Sequence, residues 1–576
     1  MSQTQPRPSL LDRVRPLLPL LVFLFAFGFR LTGIGWGLQN DLHNQTYHPD
    51  EQIILGNSQA LDPGHLGLTP GFYNYGTLYL TALNVAGSMV KTYGGGEPDR
   101  HDASKWWPYE AKWNLAGRVI SSLAGAFTAV FIFLMLRRFT RPFGALFGAL
   151  VVAIAPAFVV HSRFQTVDVL ATMLLTVSLY LTTLLLPATS AHADPPAWSK
   201  KLVRYAVLAG LLAGLSAGTK YTGILAVIPL IVACFMIDRS LRVKALVGGI
   251  VASAVGFFLG TPGSVLDNGR FMQSLAYEAH HVATGHGLLF IDVPSGYIYH
   301  LINLGAGIQP LLLLLCAIGI VMGLVKREKW LWLLLSFSLP YYLLIGGEKV
   351  LFLRYTFPLY VIAAAGFGWW MGWAHERKGK HLFAVMAGIF GLGLSLMIAA
   401  EMTTWMMGTD PRDQVALELK QLAKDKPGTT VGSASDPWYY SPPLIPDSTG
   451  DLGMIKLKIG EMLRSQSPRF ISYIPEANGQ LDLNSRFDWD TRLITDIKPD
   501  YIVYSSLEQY DVDRLQNSTD LDTDSKLMVD RYKQFQVALT ASYAPFQTGL
   551  DDAGMRIQDL EYIRPYLWVW KRKDLP

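Results

Sequence analysis

Tyr47-His48-Pro49-Asp50-Glu51 sets two adjacent carboxylates directly after the first long apolar run of the chain. A carboxylate at the rim of a bilayer can take the proton from a hydroxyl as that oxygen attacks an anomeric carbon. Glycosyl transfer passes through an oxocarbenium-like state that a nearby negative charge favours. A third acid, Asp168, ends the segment His161-Ser162-Arg163-Phe164-Gln165-Thr166-Val167-Asp168 and begins an apolar run. An ionisable group there is costly unless it is paired or functional. If the leaving group is a phosphate it needs no general acid, only positive charge to receive it. Lys220, where two short Gly-rich apolar runs meet, Arg354, which opens Arg354-Tyr355-Thr356, and the nearby Lys349 could supply that charge. Arg suits bidentate phosphate recognition, Lys a point contact.

Each of these residues also has an ordinary reading. Pro49-Asp50-Glu51 can simply open a helix, with acids favoured in the first turn by the helix dipole. Asp168 can cap a helix or pair with Arg163, and the cations can reach lipid headgroups by snorkelling. His48, beside the acids, together with Tyr75, Arg163 and His281, completes the set of candidates for contact with substrate. His280, His281 and His286 share a segment with Glu278, but no HExxH or comparable spacing appears. The sequence therefore assigns no cofactor and no metal ligand, and leaves open a divalent ion held across loops.

The elements that must position these side chains are membrane spans. The chain has 576 residues, 51% hydrophobic and only 16% charged, against roughly 25% charged in soluble globular proteins. Its apolar residues form blocks long enough to cross about 30 Å of hydrocarbon. Spans are expected at 17–38, 113–136, 143–160, 168–187, 205–219, 222–237, 244–260, 303–325, 330–347, 355–374 and 382–402, about eleven in all. The first is expected to be retained, because no A-x-A cleavage pattern follows it. The net charge of +4 is spread over short clusters between spans and is no nucleic-acid signature. Cys234 and Cys316 both lie in apolar runs, which excludes a disulfide framework.

Orientation follows from the basic residues. Arg7, Arg13 and Arg15, Arg137, Arg138 and Arg141, Lys200, Lys201 and Arg204, Arg239, Arg242 and Lys244, Lys326, Arg327 and Lys329, and Arg377, Lys378 and Lys380 all fall on one side of an eleven-span chain. That side is expected to be cytoplasmic. The N-terminus is then cytoplasmic in a plasma (bacterial inner) membrane, and the acids and their candidate cations face outward. The expected organisation is a membrane region over 1–407, with an aromatic-rich outer loop at 39–112, and an extracytoplasmic α/β domain over 408–576. In the latter, a helix at Arg412–Ala423 precedes strands at Thr430–Ser433, Phe470–Tyr473, Tyr501–Ser505 and Tyr566–Trp570. Loops are expected at Asp447–Asp451 and Asn517–Asp524.

The acidic pair, the segment Phe72-Tyr73-Asn74-Tyr75-Gly76-Thr77-Leu78, Arg163 with Thr166-Val167-Asp168, Gly218-Thr219-Lys220-Tyr221-Thr222-Gly223 and Arg354-Tyr355-Thr356-Phe357-Pro358-Leu359 together resemble the GT-C membrane glycosyltransferases. Within these, they look like the branch of protein O-mannosyltransferases and lipid A aminoarabinose transferases. The resemblance covers residues 15–405 in layout and implies a polytopic α-helical enzyme that takes a sugar from a polyprenyl-phosphate donor and inverts its anomeric centre. It implies Asp50 as catalytic base, Glu51 and Asp168 as supporting acids, and Arg354 and Lys220 as phosphate contacts, with Lys349 nearby. The acceptor would be a hydroxyl of a glycan, lipid or protein. Thr261–Gly305 is too short for the trefoil-like insertion of eukaryotic protein O-mannosyltransferases, which counts against a protein acceptor.

Two other readings compete. A transporter or flippase of a lipid-linked saccharide would place ionisable residues near the midplane and show related halves; here the acids lie at the outer rim and no internal repeat is visible. A polymerase or ligase of surface polysaccharide shares the donor chemistry and differs only in its acceptor.

Overall fold

The structure, a computed structural model, describes residues 15–100, 102–188, 199–376, 381–435, 439–444, 488–549 and 557–576, with strand segments at 470–472, 476–477 and 480–481. The apolar runs fold as helices. The labelled ones are α1 (Leu18–Leu31), α2 (Pro49–Gln59), α3 (Ala103–Leu136), α4 (Val167–Thr183), α5 (Ser199–Ala217), α6 (Arg239–Gly260), α7 (Gly296–Ile308), α8 (Pro310–Val325), α9 (Lys329–Gly346), α10 (Tyr360–Glu376) and α11 (Leu382–Met407). Helix occupies part of every expected span, and the chain is a polytopic, mostly helical membrane protein. Among the described residues, four helical stretches are long and apolar enough to cross a bilayer alone: those from Ser104, Arg239, Lys329 and Leu382. A fifth results if α7 and α8 count as one bent span.

Two departures from the expected spans have local causes. The first run stops after the 14 residues of α1, because Gly33 and Gly37 adopt positive φ and the chain turns before Trp36. The run at 303–325 is not one helix: α7 and α8 meet at 111°. Pro310 brings no N–H to continue α7, Gln309 takes φ +98°, and its side-chain oxygen accepts from the Leu312 N–H at 2.7 Å, capping α8.

The platform beneath the first loop is set by glycines. α5 and α6 pack through Gly210 and Gly214 against Gly249 and Ser253, where a Cβ would run into the facing carbonyls; small residues four apart let two backbones approach this closely. At the end of that seam, Gly76 of the first loop lies against the Gly218 carbonyl with no room for a side chain. The Leu78 N–H donates to the same carbonyl at 3.0 Å, and Thr77 Oγ1 donates to the Gly260 carbonyl at 3.0 Å. The Phe72–Leu78 and Gly218–Gly223 segments are thus one joined surface, and the Tyr221 hydroxyl donates to the Tyr73 carbonyl at 2.6 Å across it.

After Gly408 the chain forms α12 (Pro411–Asp425), β1 (Val431–Ser433), β2 (Phe470–Ser472), β3 (Tyr501–Ser505), α13 (Ser506–Arg514), α14 (Thr523–Ser542), β4 (Tyr543–Gly549) and β5 (Leu567–Arg572). The sheet order is β2-β1-β3-β5-β4, parallel over β2-β1-β3 and antiparallel from β3 onward. Ile502 and Tyr504 pack with Trp489, Tyr532 and Phe535 in one core behind it. The expected loop at Asn517–Asp524 is shorter than read, since Asp522 caps α14 by accepting from the Ser525 N–H at 2.7 Å. The expected loop at Asp447–Asp451 lies outside the described residues. This region is fastened to the first loop by Arg412, which is fully buried. Arg412 pairs with Asp410, donates at 2.7 Å to the carbonyls of Tyr439 and Tyr562, and lies 3.7 Å over the Tyr47 ring.

Candidate functional site

Four segments distant in sequence meet at Arg354. Pro49 at the start of α2 fixes the first turn that carries Asp50, whose carboxylate lies 3.1 Å from Arg354 Nη2. Asp168 sits in the first turn of α4, 3.8 Å from Arg354 Nε and 2.5 Å from Lys220 Nζ. Lys220 itself emerges from the glycine seam, its ammonium 4.0 Å over the Tyr355 ring. Arg354 opens the 3₁₀ turn Leu353–Leu359 and stacks 3.9 Å over Phe352. The fourth segment comes from the C-terminal region: Asp559 meets the Arg354 guanidinium at 2.5 Å. Below these groups a small pocket is lined by Asp168, Lys220 and Arg354, by the hydroxyl-bearing Thr172, Ser216, Thr222 and Tyr341, and by Ala171, Leu175 and Pro358. Carboxylates alternate with cations along one wall, a charge pattern suited to binding an anion beside a group that gives up a proton.

Residues 112–260 match the family model described as dolichyl-phosphate-mannose-protein mannosyltransferase. Over almost its whole length the chain has the fold of ArnT from Cupriavidus metallidurans bound to undecaprenyl phosphate, at 15% identity and a TM-score of 0.50, with 96% of this chain and 98% of that one covered. The chain has the ArnT fold and, over 112–260, a match to a mannosyltransferase family model. Also similar are the Archaeoglobus fulgidus oligosaccharyltransferase in its apo form (11% identity, TM-score 0.49, 94% and 74% covered) and the S. cerevisiae Pmt1-Pmt2 complex bound to the sugar donor (16%, 0.29, 48% and 34%). No curated protein matches in sequence.

The other expected residues are distributed as follows. Glu51 follows Asp50 but turns inward, fully buried, against Arg118 of α3. Arg118 Nε and Nη2 donate to its two oxygens at 2.8 and 2.7 Å, and the Gln165 N–H donates at 2.7 Å. Burial alone would raise the Glu51 carboxyl; Arg118 outweighs it and holds the group below the usual carboxylate range. Glu51 therefore fixes the loop that carries Asp50. His48 is fully buried against Phe164 and Tyr562, with ring centroids 4.5 and 5.3 Å away, and burial pushes its imidazole down to about 3. It is a neutral wall of the site. Tyr75 packs on Phe72 within electrostatic reach of Asp50, Arg354 and Asp168, and burial raises its phenol.

Three candidates lie elsewhere. Arg163 is fully buried and donates to the Phe29 carbonyl and Thr403 Oγ1, both at 2.8 Å, tying α1 to α11 rather than pairing with Asp168. Lys349 is exposed and forms no ion pair among the described residues; its N–H donates to the Val282 carbonyl at 2.8 Å. His281 contacts His286 at 2.9 Å and Glu278 at 3.7 Å on the helix Asn268–Thr284. Among the described residues no group of three His, Cys, Asp or Glu side chains is gathered as for a metal ion.

Two contributors were missed from the sequence. Arg118, with Asn114, opens an otherwise apolar run, and a cation inside a span is signal enough to have been flagged. Asp559 has no such signal; it belongs to an ordinary polar turn 205 residues from its partner.

Proposed function

We propose that the chain moves a sugar from a polyprenyl-phosphate donor to a hydroxyl of a glycan, lipid or protein, with inversion, at the extracytoplasmic face of the membrane. The observation that carries this reading is the contact of Asp50 with Arg354 at 3.1 Å beside the Asp168–Lys220 pair at 2.5 Å. Asp50 accepts the acceptor's hydroxyl proton as its oxygen bonds to the anomeric carbon. The bond from that carbon to the phosphate oxygen breaks, its electron pair leaves with the phosphate, and Arg354 and Lys220 receive the charge. Asp168 holds Lys220 in place. The polyprenyl phosphate held by the structurally similar ArnT guides the choice of donor. The outward orientation rests on the basic clusters, and the contact of Arg141 with Glu376 at 2.9 Å supports a common side for the ends of α3 and α10.

The test is transfer of labelled sugar by purified protein from a panel of polyprenyl-phosphate sugars, with the anomeric configuration of the product read by NMR. An inverted product is expected. Retention of configuration, or no transfer from any member of the panel, overturns the proposal.

A pH dependence follows from the same reading. Glu348, in the link after α9, has its carboxyl pushed up by burial to about 7, against the opposing pull of Lys220. Below that value it is neutral; as pH rises through it, a negative charge develops near Lys220 and competes for it with an incoming phosphate. Affinity for polyprenyl phosphate is expected to fall between about pH 6 and pH 8, and Glu348→Gln to flatten that fall. Isothermal titration of both proteins across the range checks it.

A further inference from the structure

The turn Gln558–Glu561 carries Asp559, only 1% exposed, into the cluster. Its carboxylate meets Arg354 twice: Oδ1 accepts from guanidinium Nη1 at 2.5 Å and Oδ2 from the Arg354 backbone N–H at 3.2 Å. With Asp50 and Asp168 this makes three carboxylates around two cations, Arg354 and Lys220, an excess of one negative charge. Arg354 and Asp168 are 9% and 5% exposed, so water screens little of this. A donor phosphate entering the same site brings at least one more negative charge. Like charges at this range, out of water, repel strongly, and two cations cannot neutralise all four anions.

One anion must therefore withdraw. Asp168 is held by Lys220 and Asp50 by the buried Glu51–Arg118 brace, and both are fixed in the membrane region. Asp559 comes from the C-terminal region, and its two contacts, to a guanidinium N–H and an adjacent backbone N–H, are those a phosphate's oxygens would make. Hydrogen-bonding groups that could receive it are at hand. The four ring nitrogens of His48 and His161 are buried without a hydrogen-bond partner, and both rings lie within electrostatic reach of Asp559. Resting on the donor-phosphate reading of the site, we propose that Asp559 is a positioning residue that occupies Arg354 in place of the donor's phosphate and is displaced when the donor binds.

The exchange keeps Arg354 paired at every stage, since an uncompensated buried guanidinium would be costly. It also couples donor arrival to the wall beside Asp50: Tyr562, three residues beyond Asp559, packs on His48 and stacks at 6.1 Å with Tyr440. Donor occupancy is thereby reported to the side from which an acceptor hydroxyl would approach.

The test is binding of undecaprenyl phosphate to the purified full-length protein, to Asp559→Asn and to Asp559→Glu, with donor KM and kcat measured on each. Asp559→Asn is expected to bind roughly tenfold more tightly, the order set by removing one competing charge from a buried guanidinium. Its donor KM should fall without a rise in kcat, and Asp559→Glu should restore wild-type affinity. Asp559→Asn binding equal to or weaker than wild type overturns the inference and leaves the donor site standing. Failure of the wild type itself to bind overturns both. A second measurement needs no variant: hydrogen exchange over residues 557–562 of the unmodified protein should rise on adding undecaprenyl phosphate, and unchanged exchange with the lipid bound overturns the inference.

Discussion

Asp50→Asn is expected to abolish sugar transfer while leaving undecaprenyl phosphate binding in place. The substitution keeps the shape of the side chain and its position in the first turn of α2, and removes the group that accepts the hydroxyl proton. A positioned general base contributes about 10²–10⁴ in rate, and loss of negative charge beside an oxocarbenium-like state adds to that deficit. The fold should persist, because the first loop is held by other residues: Glu51 on Arg118, and Tyr47 on Asp413. Initial rates of labelled transfer, compared with those of Asp50→Glu and with phosphate binding as the control for folding, decide the matter. An undiminished rate in Asp50→Asn removes Asp50 from the mechanism.

Arg118→Met is expected to show the largest loss of stability. Arg118 donates to both oxygens of Glu51 and also to the carbonyls of Ile34 and Trp36 at 2.9 and 2.5 Å. Both partners of the ion pair are fully buried. Removing one side of a buried pair leaves an uncompensated charge and costs about 3–5 kcal/mol. Melting of the purified protein in detergent should show it as a clear fall in midpoint. The double variant Arg118→Met with Glu51→Gln should recover part of the loss, since the stranded charge is gone. A single variant that melts like wild type would mean the pair does not brace the first loop.

Much of this arrangement was legible because ionisable residues are expensive at a membrane. Asp50, Asp168, Lys220 and Arg354 stood out in the sequence as charges at the ends of apolar runs, and the structure gathers all four. What the sequence did not settle was which charge turns toward the cavity and which toward the interior. Asp50 and Glu51 are neighbours on one helix, about 100° apart, and Arg118 on a facing helix decides between them. Arg163 has the same difficulty, its donors taken by carbonyls of α1 that no local pattern announces. Asp559 was beyond reach, because it arrives through tertiary packing of a region whose helix–strand pattern says nothing of where it docks. The strand Tyr543–Gly549 was missed for a different reason. Pro545 argues against a strand, and it is accommodated because β4 lies at the sheet edge with an irregularity between Pro545 and Gln547.

The contact of Gly76 with the Gly218 carbonyl limits how such an enzyme can change its preferences over evolution. Any side chain acquired on either partner would pry apart the platform from which Lys220 projects, so that flank of the cavity is closed to variation. A shift toward a bulkier or smaller sugar would then have to be absorbed by the groups contributed from beyond residue 408, among them Tyr440 and Tyr562.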